Sequence, residues 1–200
     1  MCTQNTTIKM INLAIFASGS GSNAENISRY FQSNKNVKIS LIISNKADAF
    51  VHERAKLLNI ESKTFTKQQF EFTSDVLEYL ENKKIDYIIL AGFLLKVPDN
   101  LLAAYPDKII NIHPALLPKF GGKGMYGDNV HKAVVASGEK ESGITIHYIN
   151  ENYDEGAIIF QAKCEVLPTD TYEDVASKVH ELEYEYFPKT IENILDKQGE

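Results

Sequence analysis

The stretch Ile109-Ile110-Asn111-Ile112-His113-Pro114-Ala115-Leu116-Leu117-Pro118 decides how this chain is read. An apolar, β-branched run ends in Asn and His and is stopped by prolines, which cannot donate to a sheet ladder. Side chains at i and i+2 of a strand point to the same face. Asn111 and His113 are therefore expected to project together at the carboxyl end of a strand. A carboxamide beside an imidazole polarises a carbonyl and manages a proton. Taken alone, the segment reads equally well as a strand end with two polar residues leaving the core.

Outward from this strand, the preceding chain alternates. Ile11–Ala17 is apolar and is followed by Ser18-Gly19-Ser20-Gly21-Ser22-Asn23, then by a helix-like stretch to Phe31. Val37–Ile43 reads as strand, Phe50–Leu58 as helix and Ser62–Phe65 as a short strand. Gln68–Asn82 carries Phe72, Val76 and Leu80 at helical spacing and reads as one helix. Tyr87–Leu90 is strand and Pro98–Tyr105 helix. After His113 come a glycine-rich loop (Gly121–Gly127), a helix near Asn129–Ala136, two strands (Ser142–Ile149, Ala157–Val166) and a helix from Tyr172 to about Leu195. Strands alternating with helices imply βαβ units. The expected fold is α/β: one domain with a doubly wound, mostly parallel, Rossmann-like sheet, a late antiparallel strand and a long C-terminal helix.

Two hundred residues, 44% of them hydrophobic, suffice for one ordinary core. Residues 1–9 are polar and are expected to form a disordered tail ahead of a single domain over residues 10–200. The net charge of −6 argues against a polyanion-binding surface, so no nucleic-acid partner is expected. Two cysteines, Cys2 and Cys164, form neither a disulfide framework nor a metal cluster, which fits a reducing cytoplasm. No apolar run reaches membrane-spanning length. His52, His131 and His180 show no ligand spacing with one another or with Cys164, so no metal is expected.

The turn Gly19–Asn23 lies between the first strand and first helix. Such a turn offers backbone N–H groups and a helix N-terminus to a phosphate, although Ser22 or Asn23 serves equally as a plain helix cap. A dinucleotide site needs an acid about twenty residues on. Here the second strand ends Ile43-Ser44-Asn45-Lys46, which favours a monophosphate or sugar phosphate over NAD. In the acidic loop Asn150–Gly156, Asp154 is the candidate to lie against the Asn/His face. A carboxylate there favours the imidazolium and orients a water. His147, alternating with Thr145, reads as a half-buried strand histidine.

With these motifs in place, the chain from Met10 to about Leu195 resembles the phosphoribosylglycinamide formyltransferase family, folate-dependent enzymes of purine synthesis. The resemblance rests on the Ser18–Asn23 turn, Ser44-Asn45-Lys46-Ala47-Asp48, Ala91-Gly92-Phe93, Asn111-Ile112-His113-Pro114 with Leu116-Leu117-Pro118, and Tyr153-Asp154-Glu155-Gly156. It implies a formyltransferase with Asn111, His113 and Asp154 as catalytic residues. It places the ribonucleotide phosphate on Gly21, Ser22 and Asn23, and the substrate-binding Glu of the last helix on Glu183. It places 10-formyltetrahydrofolate, a cosubstrate, along Leu94, Leu95, Val97 and the Asn150–Asp154 loop, with Asn111 and Asp154 also touching it. The implied partners are small molecules, glycinamide ribonucleotide (GAR) and the formyl folate, on a monomer or homodimer. Many relatives carry Arg at Leu95, and Gln or Lys at His180. The loop Phe120–Gly127 also departs from the shorter version of many bacterial members. Methionyl-tRNA formyltransferase and formyltetrahydrofolate hydrolase share the Asn–x–His-Pro core, but a single acidic domain is expected to suit neither. A non-catalytic binding module is disfavoured by the complete Asn/His/Asp set.

Overall fold

The computed structural model describes residues 10–197; the tail expected over residues 1–9 lies outside them. In chain order the elements are β1 (Ile11–Phe16), α1 (Ser22–Tyr30), β2 (Val37–Ser44), α2 (Val51–Leu57), β3 (Ser62–Thr64), α3 (Lys67–Phe72) and α4 (Asp75–Asn82). They continue with β4 (Tyr87–Leu90), α5 (Asp99–Ala104), β5 (Ile109–His113), α6 (Asp128–Ala136), β6 (Glu141–Tyr148), β7 (Ile158–Glu165) and α7 (Tyr172–Asp196). One seven-stranded sheet has the order β3-β2-β1-β4-β5-β6-β7. The pairs among β1 to β5 are parallel, whereas β6 is antiparallel to both β5 and β7. The strand order reverses between β1 and β4, and ligands of doubly wound sheets bind outside the carboxyl ends of strands at such a point.

Alternation along the central strands builds two core layers. Leu13 and Ile15 of β1 join Ile110 and Ile112 of β5 and the buried faces of α1 and α7. Ala14 and Phe16 join Ile109, Phe70, Val76, Leu80 and Leu101 on the other side. Asn111 and His113 continue the row begun by Ile109, so the polar pair stands on the second face.

Helix α7 begins with a capping box in which Thr171 and Asp174 satisfy each other's backbone N–H groups. Its buried stripe runs Val175, Val179, Glu183, Phe187, Ile191 at four-residue spacing. An acid thus occupies a core position, only 5% exposed.

One expected element divides. Instead of a single helix over Gln68–Asn82, α3 and α4 are separated at Thr73-Ser74. Thr73 is extended (φ −130°, ψ 169°). Its hydroxyl donates to the Gln69 carbonyl and accepts from the Asp75 N–H, local bonds that compete with a continuing helix. Phe72 consequently ends α3 at 78% exposure, off the stripe that buries Val76 and Leu80.

The split gives contrasting expectations. Leu80→Ala is expected to cost about 2–5 kcal/mol in denaturant unfolding, and Phe72→Ala to stay within about 0.5 kcal/mol. Equal losses at the two positions would restore the single-helix reading.

Candidate active site

Asn111 and His113 face β6 across an antiparallel ladder, in register with His147 and Thr145 respectively. Residues directly opposite share a face, so four polar side chains converge. The Asn111 Nδ2 amide donates to His147 Nε2 at 3.0 Å, and His147 Nδ1 donates to the Tyr148 carbonyl at 2.8 Å. Burial pushes the His147 pKa down, which keeps the ring neutral and able to accept. Only one N–H of the Asn111 amide is consumed, and the other is left for a ligand. His113 is 4% exposed. Its Nε2 donates to the Phe120 carbonyl at 2.8 Å, so Nδ1 is the nitrogen left for proton transfer. Thr145 ties down the segment after β5. Its hydroxyl donates to the Ala115 carbonyl and accepts from the Leu117 N–H and from Gln161 Nε2.

Asp154 reaches this cluster by an indirect route. β6 leaves the sheet beside Ile110, the amino end of β5. The following segment doubles back over the Asn/His face and closes where Tyr148 N–H meets the Ala157 carbonyl. Close packing at this neck explains Gly156, where an added Cβ would lie 1.8 Å from the Tyr148 oxygen. Asp154 takes a left-handed backbone (φ 56°), which Asp tolerates better than most residues. Its Oδ2 lies 3.7 Å from His113 Nδ1 and accepts the Gly122 N–H at 2.8 Å, while its Oδ1 lies 3.7 Å from His147 Nε2.

The cleft above this cluster has two halves. One is lined by Leu90, Phe93–Val97, Asn111, His113, Met125, Tyr126, Ile149 and Asn152–Asp154. It therefore contains Leu94, Leu95 and Val97 together with most of the acidic loop. The other is lined by Gly19–Asn23, Pro114, Asp128, His131, His180 and Glu183. Gly92, Ile112 and Gly127 belong to both halves.

In the second half, Gly21 is the left-handed N-cap of α1 (φ 72°), and no side chain caps the helix. Ser22 and Asn23 are thus free of the capping role. Asn23 Nδ2 donates to Glu183 Oε2 at 2.8 Å, while Asn23 Oδ1 is buried without a partner among the described residues. His180 Nδ1 lies 2.8 Å from the same Glu183 oxygen, and this carboxylate raises the His180 pKa. Burial lowers that of His131, whose ring stands 6.4 Å from His180. Gly21 is required by the fold itself: a Cβ there would meet Val51 Cγ2 at 2.3 Å, so enlarging it perturbs α2 before it reaches any ligand.

Asn111, His113, Asp154, Gly21, Ser22, Asn23, Glu183, Leu94, Leu95 and Val97 thus all line one cleft. The sequence reading missed His147, which is fully buried and bonded to Asn111 rather than half-buried. Its i, i+2 alternation with Thr145, on a strand following Asn111 and His113, was the available signal. His131 was also missed. Cys164 lies on β7 and lines neither half. Among the described residues no group of three or more His, Cys, Asp or Glu is arranged to hold a metal ion, and no helix is long and apolar enough to cross a membrane.

An α/β sheet with this reversed strand and an Asn/His/Asp cleft defines a class, and the chain belongs to the formyl transferase family, whose model matches residues 11–191. The particular relatives agree with the resemblance read from the sequence. Phosphoribosylglycinamide formyltransferase of Bacillus subtilis is 38% identical over 191 residues, covering 93% of this chain and 95% of that protein. The chloroplastic enzyme of the same name from Arabidopsis thaliana is 38% identical over 192 residues, 93% of this chain and 66% of its own length. The chain spans 66% and 63% of the lengths of the two plant relatives it matches. The crystal structure of phosphoribosylglycinamide formyltransferase from Anaplasma phagocytophilum superposes with a TM-score of 0.86 at 33% identity, covering 94% of this chain and 89% of that one.

The Glu183–His180 pair is checked by NMR titration. His180 is expected to titrate above the ordinary histidine value of 6.5, and Glu183→Gln to bring it back down. Because the folded pKa is the higher one, the pair's contribution to stability is complete below the unfolded pKa and is lost as pH rises through the folded value. An unshifted His180 in the wild type contradicts the pairing.

Proposed function

We propose that this chain transfers a formyl group from 10-formyltetrahydrofolate to the primary amine of glycinamide ribonucleotide in the purine (IMP) pathway of the cytoplasm, giving formyl-GAR and tetrahydrofolate. The observation that carries the reading is the single cleft in which Asn111, His113 and Asp154 stand between a glycine-rich turn and an apolar wall. The names of the relatives support the same reaction.

The ribonucleotide is assigned to the half with Gly21, Ser22 and Asn23, where the N-terminus of α1 favours a phosphate. Glu183 is assigned to the ribose hydroxyls. The folate is assigned to the other half. Leu90, Leu95, Val97 and Ile149 offer an apolar wall there, and the Asn150–Asp154 loop offers polar atoms at its edge, a combination that fits a flat heterocycle. The folate supplies the activated formyl carbon, and the chain's own residues do the rest. The free Asn111 N–H donates to the formyl oxygen as charge collects there during direct attack by the amine. His113, protonated on Nδ1, supports that charge, with Asp154 Oδ2 as its counter-charge at 3.7 Å. Asp154 also orders a water that carries the amine proton toward the departing folate nitrogen. His147 positions Asn111 by accepting its other N–H. No covalent enzyme intermediate is involved: the Asn–His motif contains no Ser or Cys, and burial keeps the Cys164 thiol protonated. Small molecules are the only partners assigned, on a monomer or homodimer.

A spectrophotometric assay of folate product with both substrates tests the reaction, and inactivity of the folded wild type rejects it. Asn111→Ala, His113→Ala and Asp154→Asn are each expected to lower kcat at least about 10²-fold while remaining folded, with non-additive losses when combined. A folded His113→Ala enzyme with near wild-type kcat, where chemistry limits the rate, would remove the mechanism.

A further inference from the structure

The glycine-rich turn is held from behind by α2, and the bonds that hold it determine where its N–H groups point. The Gly19 carbonyl accepts from Val51 N–H at 3.2 Å, at the start of α2. The next carbonyl, Ser20, accepts from Arg54 Nε at 2.8 Å. In a trans peptide the N–H of residue i+1 points opposite to the carbonyl of residue i. Turning the Gly19 and Ser20 carbonyls toward α2 therefore turns the Ser20 and Gly21 N–H groups toward the cleft. Among the described residues neither N–H takes an acceptor.

Arg54 is itself fixed. Its guanidinium stacks over the Phe50 ring at 5.1 Å and pairs through Nη1 with Glu25 in the first turn of α1. Arg29 holds the other Glu25 oxygen at 2.7 Å, and the two guanidinium groups keep the Glu25 carboxyl below its ordinary pKa. Arg54 thus also neutralises the carboxylate of the helix turn assigned to receive a phosphate. Arg54 lines neither half of the cleft.

We infer that Arg54 is a positioning residue for phosphate binding: it holds the Ser20 carbonyl so that the Gly21 N–H meets the ligand's phosphoryl oxygens. This rests on the assignment of the ribonucleotide phosphate to the turn. The alternative, that Arg54 merely ties α2 to α1 through Glu25, predicts loss of stability without selective loss of phosphate affinity.

The test separates the two claims. Inorganic phosphate and glycinamide ribonucleotide are titrated into the 15N-labelled wild type. Shifts of the Ser20 and Gly21 amides are expected, and their absence overturns the phosphate assignment itself. The Arg54 Nε–H of the same sample is expected to exchange slowly; free exchange overturns the role of Arg54 whatever any variant does. Arg54→Met keeps the stem against Phe50 and removes the donors. Calorimetry and kinetics are expected to show ribonucleotide affinity weakened about 10-fold or more. The KM should rise to match, with kcat, folate KM and affinity for the dephosphorylated riboside little changed. Arg54→Lys, which retains charge near Glu25, is expected to recover part of the loss. Wild-type ribonucleotide affinity in folded Arg54→Met, or equal weakening of ribonucleotide and riboside, overturns the inference.

Discussion

The reversed direction of β6 is the constraint on which the rest of the site depends. An antiparallel neighbour puts His147 directly opposite Asn111 and Thr145 opposite His113. Because β7 in turn runs antiparallel to β6, the Ile149–Gly156 loop joins them without a crossover, and that loop carries Asp154. The cost of the arrangement is a set of polar groups buried between two inner strands. Each is satisfied by a specific partner: Asn111 by His147, His147 by the Tyr148 carbonyl, His113 by Phe120, Thr145 by Ala115 and Leu117. Side chains anchored by buried hydrogen bonds are rigid, and rigidity is what the Asn111 donor proposed to face a developing oxyanion requires.

Much of this was legible in the residues. Strand–helix alternation identified the doubly wound sheet, and i, i+2 spacing placed Asn111 and His113 on one face. The helix read from Tyr172 to about Leu195 matches α7 (Tyr172–Asp196). What escaped were features created by tertiary contact. The role of His147 depends on strand register, which single-sequence patterning does not supply. The break at Thr73-Ser74 depends on hydroxyls competing with the helix backbone, while the apolar spacing of Phe72, Val76 and Leu80 argued for continuity. Glu183 was assigned through a resemblance, yet a local signal existed: an acid in the stripe between Val179 and Phe187 cannot be left bare in a core, and Asn23 and His180 are its compensation.

The two halves of the cleft solve opposite problems of solvation. The half proposed for the ribonucleotide presents backbone N–H groups and the paired side chains Glu183 and His180, with Glu25, Arg29 and Arg54 paired to one another outside its lining. The other half presents aliphatic walls with polar atoms confined to its edge. Where they meet, Gly92, Ile112 and Gly127 bring two glycine backbones and one apolar residue to the junction. Little side-chain bulk separates the halves, so groups held in the two can approach closely.

Asp154 Oδ2 is shared between two tasks. It faces His113 Nδ1, and it accepts the N–H of Gly122 in the glycine-rich loop. Gly121 packs on the same residue so tightly that a Cβ there would come within 3.3 Å of Asp154 Cβ. Displacing the loop would strip this oxygen of its backbone donor. The position of the glycine-rich loop and the placement of the carboxylate on the cleft floor are therefore two readings of one geometry.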